Sequence, residues 1–270
     1  MSKNSPVKPK KHLGQHFLKD ENIARKIVNQ MQDDSYKNIL EIGAGTGVLT
    51  KYILNDKKYD LTVVEIDDES VEYLKENMGF TDENLLNEDF LRMDLSTLFE
   101  EKFGIIGNFP YNISSQIFFK VLDYKNQIPE VVGMIQKEVA ERIASPHGNK
   151  TYGILSVLLQ AYYDIEYCFT VSEKVFNPPP RVKSAVIRLK RNEIESLDCN
   201  EKLFFQLVKF GFGQRRKMLR SALKPLGIPN AFKEKEELSQ ILSKRAEQLS
   251  VQDFIQLAKI FEREREAEKE

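Results

Sequence analysis

The sequence predicts an α/β fold, a mostly parallel seven-stranded sheet with helices on both faces, followed by a small all-helical C-terminal domain. Three observations predict it. Short apolar runs alternate with helical periodicity through the first two-thirds of the chain, a glycine-rich turn joins the first run to the first helix, and beyond about residue 196 only helical periodicity remains. With 270 residues, 41% apolar and 30% charged, the chain has room for one good-sized domain and a smaller one.

Taken in order, "NILEIG" (38–43) reads as a buried strand, and "TGVLTKYILN" sets Val48, Leu49, Tyr52 and Ile53 on one helical face. "LTVVEID" (61–67) is a second strand, with Asp67 or Asp68 capping the helix that carries Val71 and Leu74. "ENLLNED" (83–89) is a short third strand and "FGIIGN" a fourth; "EVVGMIQ", "DIEYCFTV" and "SAVIRLKR" (184–191) complete the series, with "YGILSVLLQAYY" a helix among them. Strands alternating with helices imply right-handed crossovers. Four parts are expected: a flexible basic N-terminus (1–12), the α/β domain (13–193), a helical domain (196–264) and a charged tail (265–270).

Composition narrows the function classes. No apolar run approaches the ~20 residues of a bilayer span, and the lysine-bearing N-terminus lacks the apolar stretch of a secretory signal. Two cysteines and three scattered histidines give neither a disulfide framework nor metal-ligand spacing, so a cytoplasmic, metal-free protein is expected. Net charge is −1, yet residues 205–230 carry six basic residues and no acid, a local footprint that suits RNA and equally suits a solvated helix face.

The chemistry concentrates in two stretches. In "EIGAGTG" (41–47), glycines such as Gly43 and Gly45 allow a sharp turn and close approach of a ligand to the backbone, and Glu65 follows near the ~20-residue spacing of an acid that holds a ribose diol. The G-x-G-x-G spacing leans towards S-adenosylmethionine, which has no pyrophosphate to cradle. Asp89, after the third strand, is placed to accept from an adenine amino group; alone, such an acid is most often a helix cap or a solvated loop residue.

The second stretch is "NFPY" (108–111), which ends the fourth strand. An exocyclic amine conjugated with a ring is a poor nucleophile until it pyramidalises, and two fixed acceptors on its N–H bonds favour that change. Asn108 supplies its side-chain oxygen, Pro110 holds the turn, and a main-chain carbonyl at Phe109 or Pro110 supplies the second acceptor. Tyr111 offers a face for a flipped-out base, and Phe176, before the prolines of "VFNPPPRVKSAV" (175–186), could cover the other face. For Phe176 a core position is the competing reading.

With those residues in hand, the sequence resembles the KsgA (RsmA) family of small-subunit ribosomal RNA adenine dimethyltransferases. The likeness rests on "LGQHFL", "EIGAGTG", "VVEID", "NFPYNISS", "NKTYGILSV", "FNPPPRVKSAV" and "GQRRKMLRSAL", and covers nearly the whole chain. It implies a Rossmann-like S-adenosylmethionine-dependent methyltransferase domain, with S-adenosylhomocysteine as product and no metal. It implies that His16 and Leu18 join Gly43, Glu65, Asp89 and Asn108 at the cofactor. It also implies dimethylation of N6 on two adjacent adenines in the 3′-terminal hairpin loop of small-subunit rRNA, within an immature small subunit. Lys10, Lys11, Arg181, Lys183, Arg215, Arg216, Lys217 and Arg220 are the expected RNA contacts, and a monomer is expected. Phe109 replaces the usual Leu of the catalytic motif. The alternatives are an Erm-type large-subunit rRNA methyltransferase, a DNA adenine methyltransferase, a mainly non-catalytic assembly factor, and, from the glycine turn alone, a nicotinamide oxidoreductase.

Overall fold

The computed structural model describes residues 7–268. The expectations for residues 1–6 and for the last two residues of the tail lie outside them. The chain divides into two compact units, one formed by residues up to Ala140 with Asp164–Arg191, the other by Glu141–Tyr163 with Asn192 onward.

In the first unit, β1 (Phe17–Leu18) leads into α1 (Glu21–Val28), whose start is capped by Asp20 accepting from the N–H groups of Asn22 (2.9 Å) and Ile23 (3.1 Å). β2 (Asn38–Ile42), α2 (Thr50–Asn55), β3 (Asp60–Val64), α3 (Asp68–Met78) and β4 (Leu85–Leu86) follow, then β5 (Phe103–Asn108), α4 (Ser114–Asp123) and β6 (Glu130–Gln136). α5 (Lys137–Ile143) runs across the division, and α6 (Ile154–Gln160) belongs to the second unit. The first unit resumes with β7 (Tyr163–Val171), β8 (Phe176–Asn177) and β9 (Ser184–Arg191).

Seven strands form one sheet in the order β4-β3-β2-β5-β6-β9-β7. β2 pairs in parallel with both β3 and β5, β3 with β4, and β5 with β6; β9 is antiparallel to β6. The seven expected strands are therefore present, though the third is only two residues long. β2, β5 and β6 are apolar almost end to end because both faces are covered. From β2 the chain goes out to β3 and β4 and then returns on the other side to β5. This reversal opens a crevice at the carboxyl ends of β2 and β5. A separate two-stranded pair joins β1 to β8, with Leu18 opposite Phe176 and Phe17 opposite Asn177.

The second unit holds α6, α7 (Glu201–Gly213), α8 (Leu219–Ala222), α9 (Ala231–Glu234), α10 (Glu236–Ser243) and α11 (Val251–Ala267). Asn200 caps α7 and a Ser250–Asp253 capping box starts α11. Its core is aromatic: Tyr152 meets Phe212 edge-on at 5.9 Å, Phe212 lies 6.1 Å from Phe254, and Phe232 lies 4.8 Å from Phe261. The division at Arg191–Asn192 lies beside the expected boundary near residue 193, while residues 141–163, expected in the α/β domain, group with the helices. Tyr152 is 1% exposed in this aromatic core, and the buried face of α6 takes part in it.

Candidate active site

β2 ends at Ile42, and the backbone then turns through Gly43 (φ 69°), Gly45 (φ 55°) and Gly47 (φ 76°), angles that side chains with a Cβ rarely adopt. The Gly43 N–H donates to the Val64 carbonyl (2.9 Å), and the Gly45 N–H to the Glu65 carboxylate (2.9 Å). The other Glu65 oxygen accepts from the Asp67 N–H (3.0 Å). Glu65 is 3% exposed, and burial raises its pKa despite these amide bonds. Each oxygen still has a lone pair to offer the cleft.

Beneath the turn lies Glu41, fully buried and held by the Thr50 hydroxyl at 2.7 Å. Burial pushes its pKa up to about 8, so the side chain is mostly protonated at neutral pH. An acid inside the apolar run "NILEIG" was the available signal for it.

β5 carries the acceptor turn. The Asn108 Nδ2 donates to the His16 carbonyl (2.8 Å), which fixes the amide plane and leaves Oδ1 without a donor among the described residues. The Pro110 carbonyl accepts from the Ile113 N–H (3.2 Å), closing the turn. The Phe109 carbonyl accepts nothing among the described residues, so it is the better second acceptor of the two anticipated.

The Phe109 side chain points into the core, 0% exposed and 5.9 Å from Phe118. Its ring occupies space left by Gly107 and Gly133, where a Cβ would come within 2.9 Å and 2.5 Å of it. Phe in place of Leu is therefore accommodated by two glycines facing each other across β5 and β6. The Tyr111 hydroxyl bonds Ser184, and its ring lies 5.3 Å from that of His16. Burial raises the Tyr111 pKa, so a phenolate is disfavoured.

The segment before β1 is strapped onto the turn after Glu65. Lys10 and Gln15 both bond the carboxylate of Asp67, Gln15 at 3.0 Å, and Ser70 adds a third donor at 3.1 Å. Burial works to raise the Asp67 pKa, but these hydrogen bonds outweigh it and the carboxyl sits below its ordinary value. The His16 ring bonds the Pro178 carbonyl at 2.7 Å. The strap and both turns line one cleft. His16, Gly43, Gly45, Glu65, Asp89, Asn108, Pro110 and Tyr111 all face it, as does Ile66, an exposed apolar residue that sequence reasoning missed. Asp89 does two jobs: its Oδ1 caps the turn Phe90–Arg92 by accepting from the Leu91 N–H (3.0 Å), and it lines the cleft.

Four expected roles meet a different geometry. Leu18 is 3% exposed in the core; neighbouring side chains of a strand point to opposite sides, and it is Phe17 that faces the cleft, against Gly45. Phe176, opposite Leu18 on β8, is likewise in the core at 1% exposed and does not line the cleft, so the competing core reading describes it. Lys10 is paired with Asp67 and Glu69, which also makes residues 7–12 less free than a flexible arm. Arg215 is paired with Glu247 (2.7 Å) and reaches the Asn149 carbonyl (3.3 Å). Lys11, Arg181, Lys183, Arg216, Lys217 and Arg220 are exposed.

The open sheet with its reversal between β2 and β5, the glycine turn answered by Glu65, and a carbonyl-and-amide turn at the next strand end define the class: Rossmann-like methyltransferases. Within that class the chain belongs to the ribosomal RNA adenine dimethylase family, whose model matches residues 7–263. Among its relatives, the ribosomal RNA small subunit methyltransferase A of Cytophaga hutchinsonii is 59% identical over 252 residues, covering 93% of this chain and 96% of the relative. The protein of the same name from Flavobacterium johnsoniae is 56% identical over 257 residues, covering 95% and 97%. A dimethyladenosine transferase from Plasmodium falciparum superposes with a TM-score of 0.77 at 26% identity, over 92% of this chain and 98% of that one. The 23S rRNA methyltransferase ErmE shares the fold, with a TM-score of 0.66 at 22% identity over 90% and 99%.

Proposed function

We propose that this methyltransferase uses S-adenosylmethionine to dimethylate N6 of two adjacent adenines in the 3′-terminal hairpin loop of small-subunit rRNA. It acts as a monomer in the cytoplasm, on an immature small subunit late in assembly. The observation that carries the reading is the Asn108 amide, held by the His16 carbonyl so that Oδ1 and the Phe109 carbonyl are both available at the cleft.

The cleft suits the cofactor. The positive-φ glycine turn offers backbone approach, Glu65 offers carboxylate oxygens to a ribose diol, Ile66 offers an apolar face to adenine, and Asp89 offers an acceptor to its amino group. S-adenosylmethionine supplies an electrophilic methyl group on a sulfonium. The protein's own part is mainly alignment and electrostatics. Asn108 Oδ1 and the Phe109 carbonyl accept the two N–H bonds of the target amine and favour its pyramidal form. Tyr111 stacks the extruded base, and its neutral phenol, bonded to Ser184, fixes the ring. An amide is no base at neutral pH, so the proton leaves to water. Unstacked loop adenines are the cheapest to extrude. The exposed Arg216, Lys217 and Arg220 in the helical unit, with Lys11, Arg181 and Lys183, contact RNA phosphates.

The test is methyl transfer from labelled S-adenosylmethionine to small subunits from cells lacking these methylations, with unmodified large-subunit rRNA in parallel, read by mass spectrometry of digested RNA. Dimethyladenosine in the small-subunit 3′ hairpin is expected. Label confined to large-subunit RNA would move the substrate, and label in neither would remove the activity.

A further inference from the structure

Lys120 stands on α4 at 8% exposed, and neither the glycine turn nor the acceptor turn uses it. Its ammonium donates to the main-chain carbonyls of Phe90 (2.6 Å) and Met93, which bracket the short turn that Asp89 caps. The Phe90 ring lies 5.1 Å from the same ammonium. Burial lowers the Lys120 pKa, while the charges of Asp89, Asp94 and Asp123 oppose that shift. One helical turn further on, the Tyr124 hydroxyl donates to Asp94 (3.1 Å).

Lys120 on α4 and Tyr124 just past its end therefore grip residues 90–94, while α4 starts after a gap of two residues beyond the acceptor turn at Asn108–Tyr111. The helix acts as a strut between the two sides of the cleft. Packing alone does not explain a charge in this place, because an apolar side chain of similar length would fill the space without desolvating an ammonium.

We propose that Lys120 is a positioning residue for cofactor recognition: by holding the Phe90 and Met93 carbonyls it sets where Asp89 meets the amino group of the cofactor's adenine. This rests on the reading of Asp89 given above. It places a specificity determinant outside the cleft, on a residue that touches neither cofactor nor RNA.

The experiment is calorimetric binding of S-adenosylhomocysteine and of S-inosylhomocysteine, in which a keto oxygen replaces the amino group, to the full chain. Wild type is expected to prefer the amino compound by about tenfold or more. Asp89→Ala should abolish the preference; if it does not, the reading of Asp89 fails, and this proposal with it. Lys120→Met should shrink the preference to about threefold or less through weaker binding of the amino compound alone, and Lys120→Arg should restore part of it. In turnover, the KM for S-adenosylmethionine should rise more than kcat falls. A role in stability alone would weaken both compounds equally. If Asp89→Ala abolishes the preference and Lys120→Met leaves it intact, Lys120 does not position Asp89. Should Lys120→Met fail to fold, Lys120→Gln, whose shorter and uncharged side chain loosens the hold on both carbonyls, is read in the same way: a reduced preference supports the proposal and an unchanged one overturns it.

Discussion

Because the Nδ2 of Asn108 is held by the His16 carbonyl, truncation at this position removes an acceptor and also frees the strap from the turn. Asn108→Ala is expected to lower turnover by roughly 10²–10³-fold, much more than it weakens S-adenosylmethionine binding. Single-turnover rates beside calorimetric affinities check this. Glu41 gives a pH signature. Its pKa rises from 4.5 to about 8 on folding, so between those values the folded chain keeps a proton that the unfolded chain has released, and stability falls as pH rises through that window. Glu41→Gln cannot ionise, so its melting temperature should gain on wild type as pH climbs from about 5 to 8. Parallel melting curves across that range would show that Glu41 titrates normally. The convergence of the glycine turn, its acid and the amide-bearing strand end on one cleft was legible from type and spacing. The orientation of the Asn108 amide was not, because its partner is a main-chain carbonyl far away in sequence.

At the scale of elements, β5 and β6 meet through a glycine pair whose missing side chains make room for the Phe109 ring. Gly133→Ala sets a methyl against that ring and should cost about 1–3 kcal/mol in urea unfolding, with a loss of turnover because the Phe109 carbonyl shifts with its side chain. The strap is the second such case. Lys10→Met leaves the buried Asp67 with fewer donors, and it should raise the Kd for S-adenosylmethionine and speed amide exchange at residues 13–17 without altering the methylated position. Exchange unchanged in this segment would detach the strap from that latch. The apolar runs announced the central strands, since strands covered on both faces admit little else. The β1–β8 pair escaped notice because two residues show no periodicity, and so the shared core placement of the Leu18 and Phe176 side chains did not show in the sequence.

For the whole molecule, the basic residues divide by pairing rather than by density. Arg215 sits in the same basic run as Arg216, Lys217 and Arg220, yet only Arg215 is tied to Glu247 and Asn149. Arg215→Ala should therefore lower the melting temperature with little change in the salt dependence of RNA binding. Each of Arg216→Ala, Lys217→Ala and Arg220→Ala should instead reduce the slope of log affinity against log salt by roughly 1. Filter binding over a salt series distinguishes the two patterns. Sequence alone could not separate these arginines, because Glu247, the partner of Arg215, lies 32 residues further on in a short 3-10 turn.

The division of the chain has a further consequence for synthesis. The polypeptide passes between the units three times, at residues 140, 163 and 191, so neither unit is complete while the other is unmade. As the chain leaves the ribosome, β9 arrives only after α6 has already emerged, and α6 must wait for α7 and α11 before its buried Leu155, Val157 and Leu159 find their partners. A gene cut after residue 191 would therefore yield a complete set of strands attached to an orphaned greasy helix. Such a fragment should come out of cells in inclusion bodies.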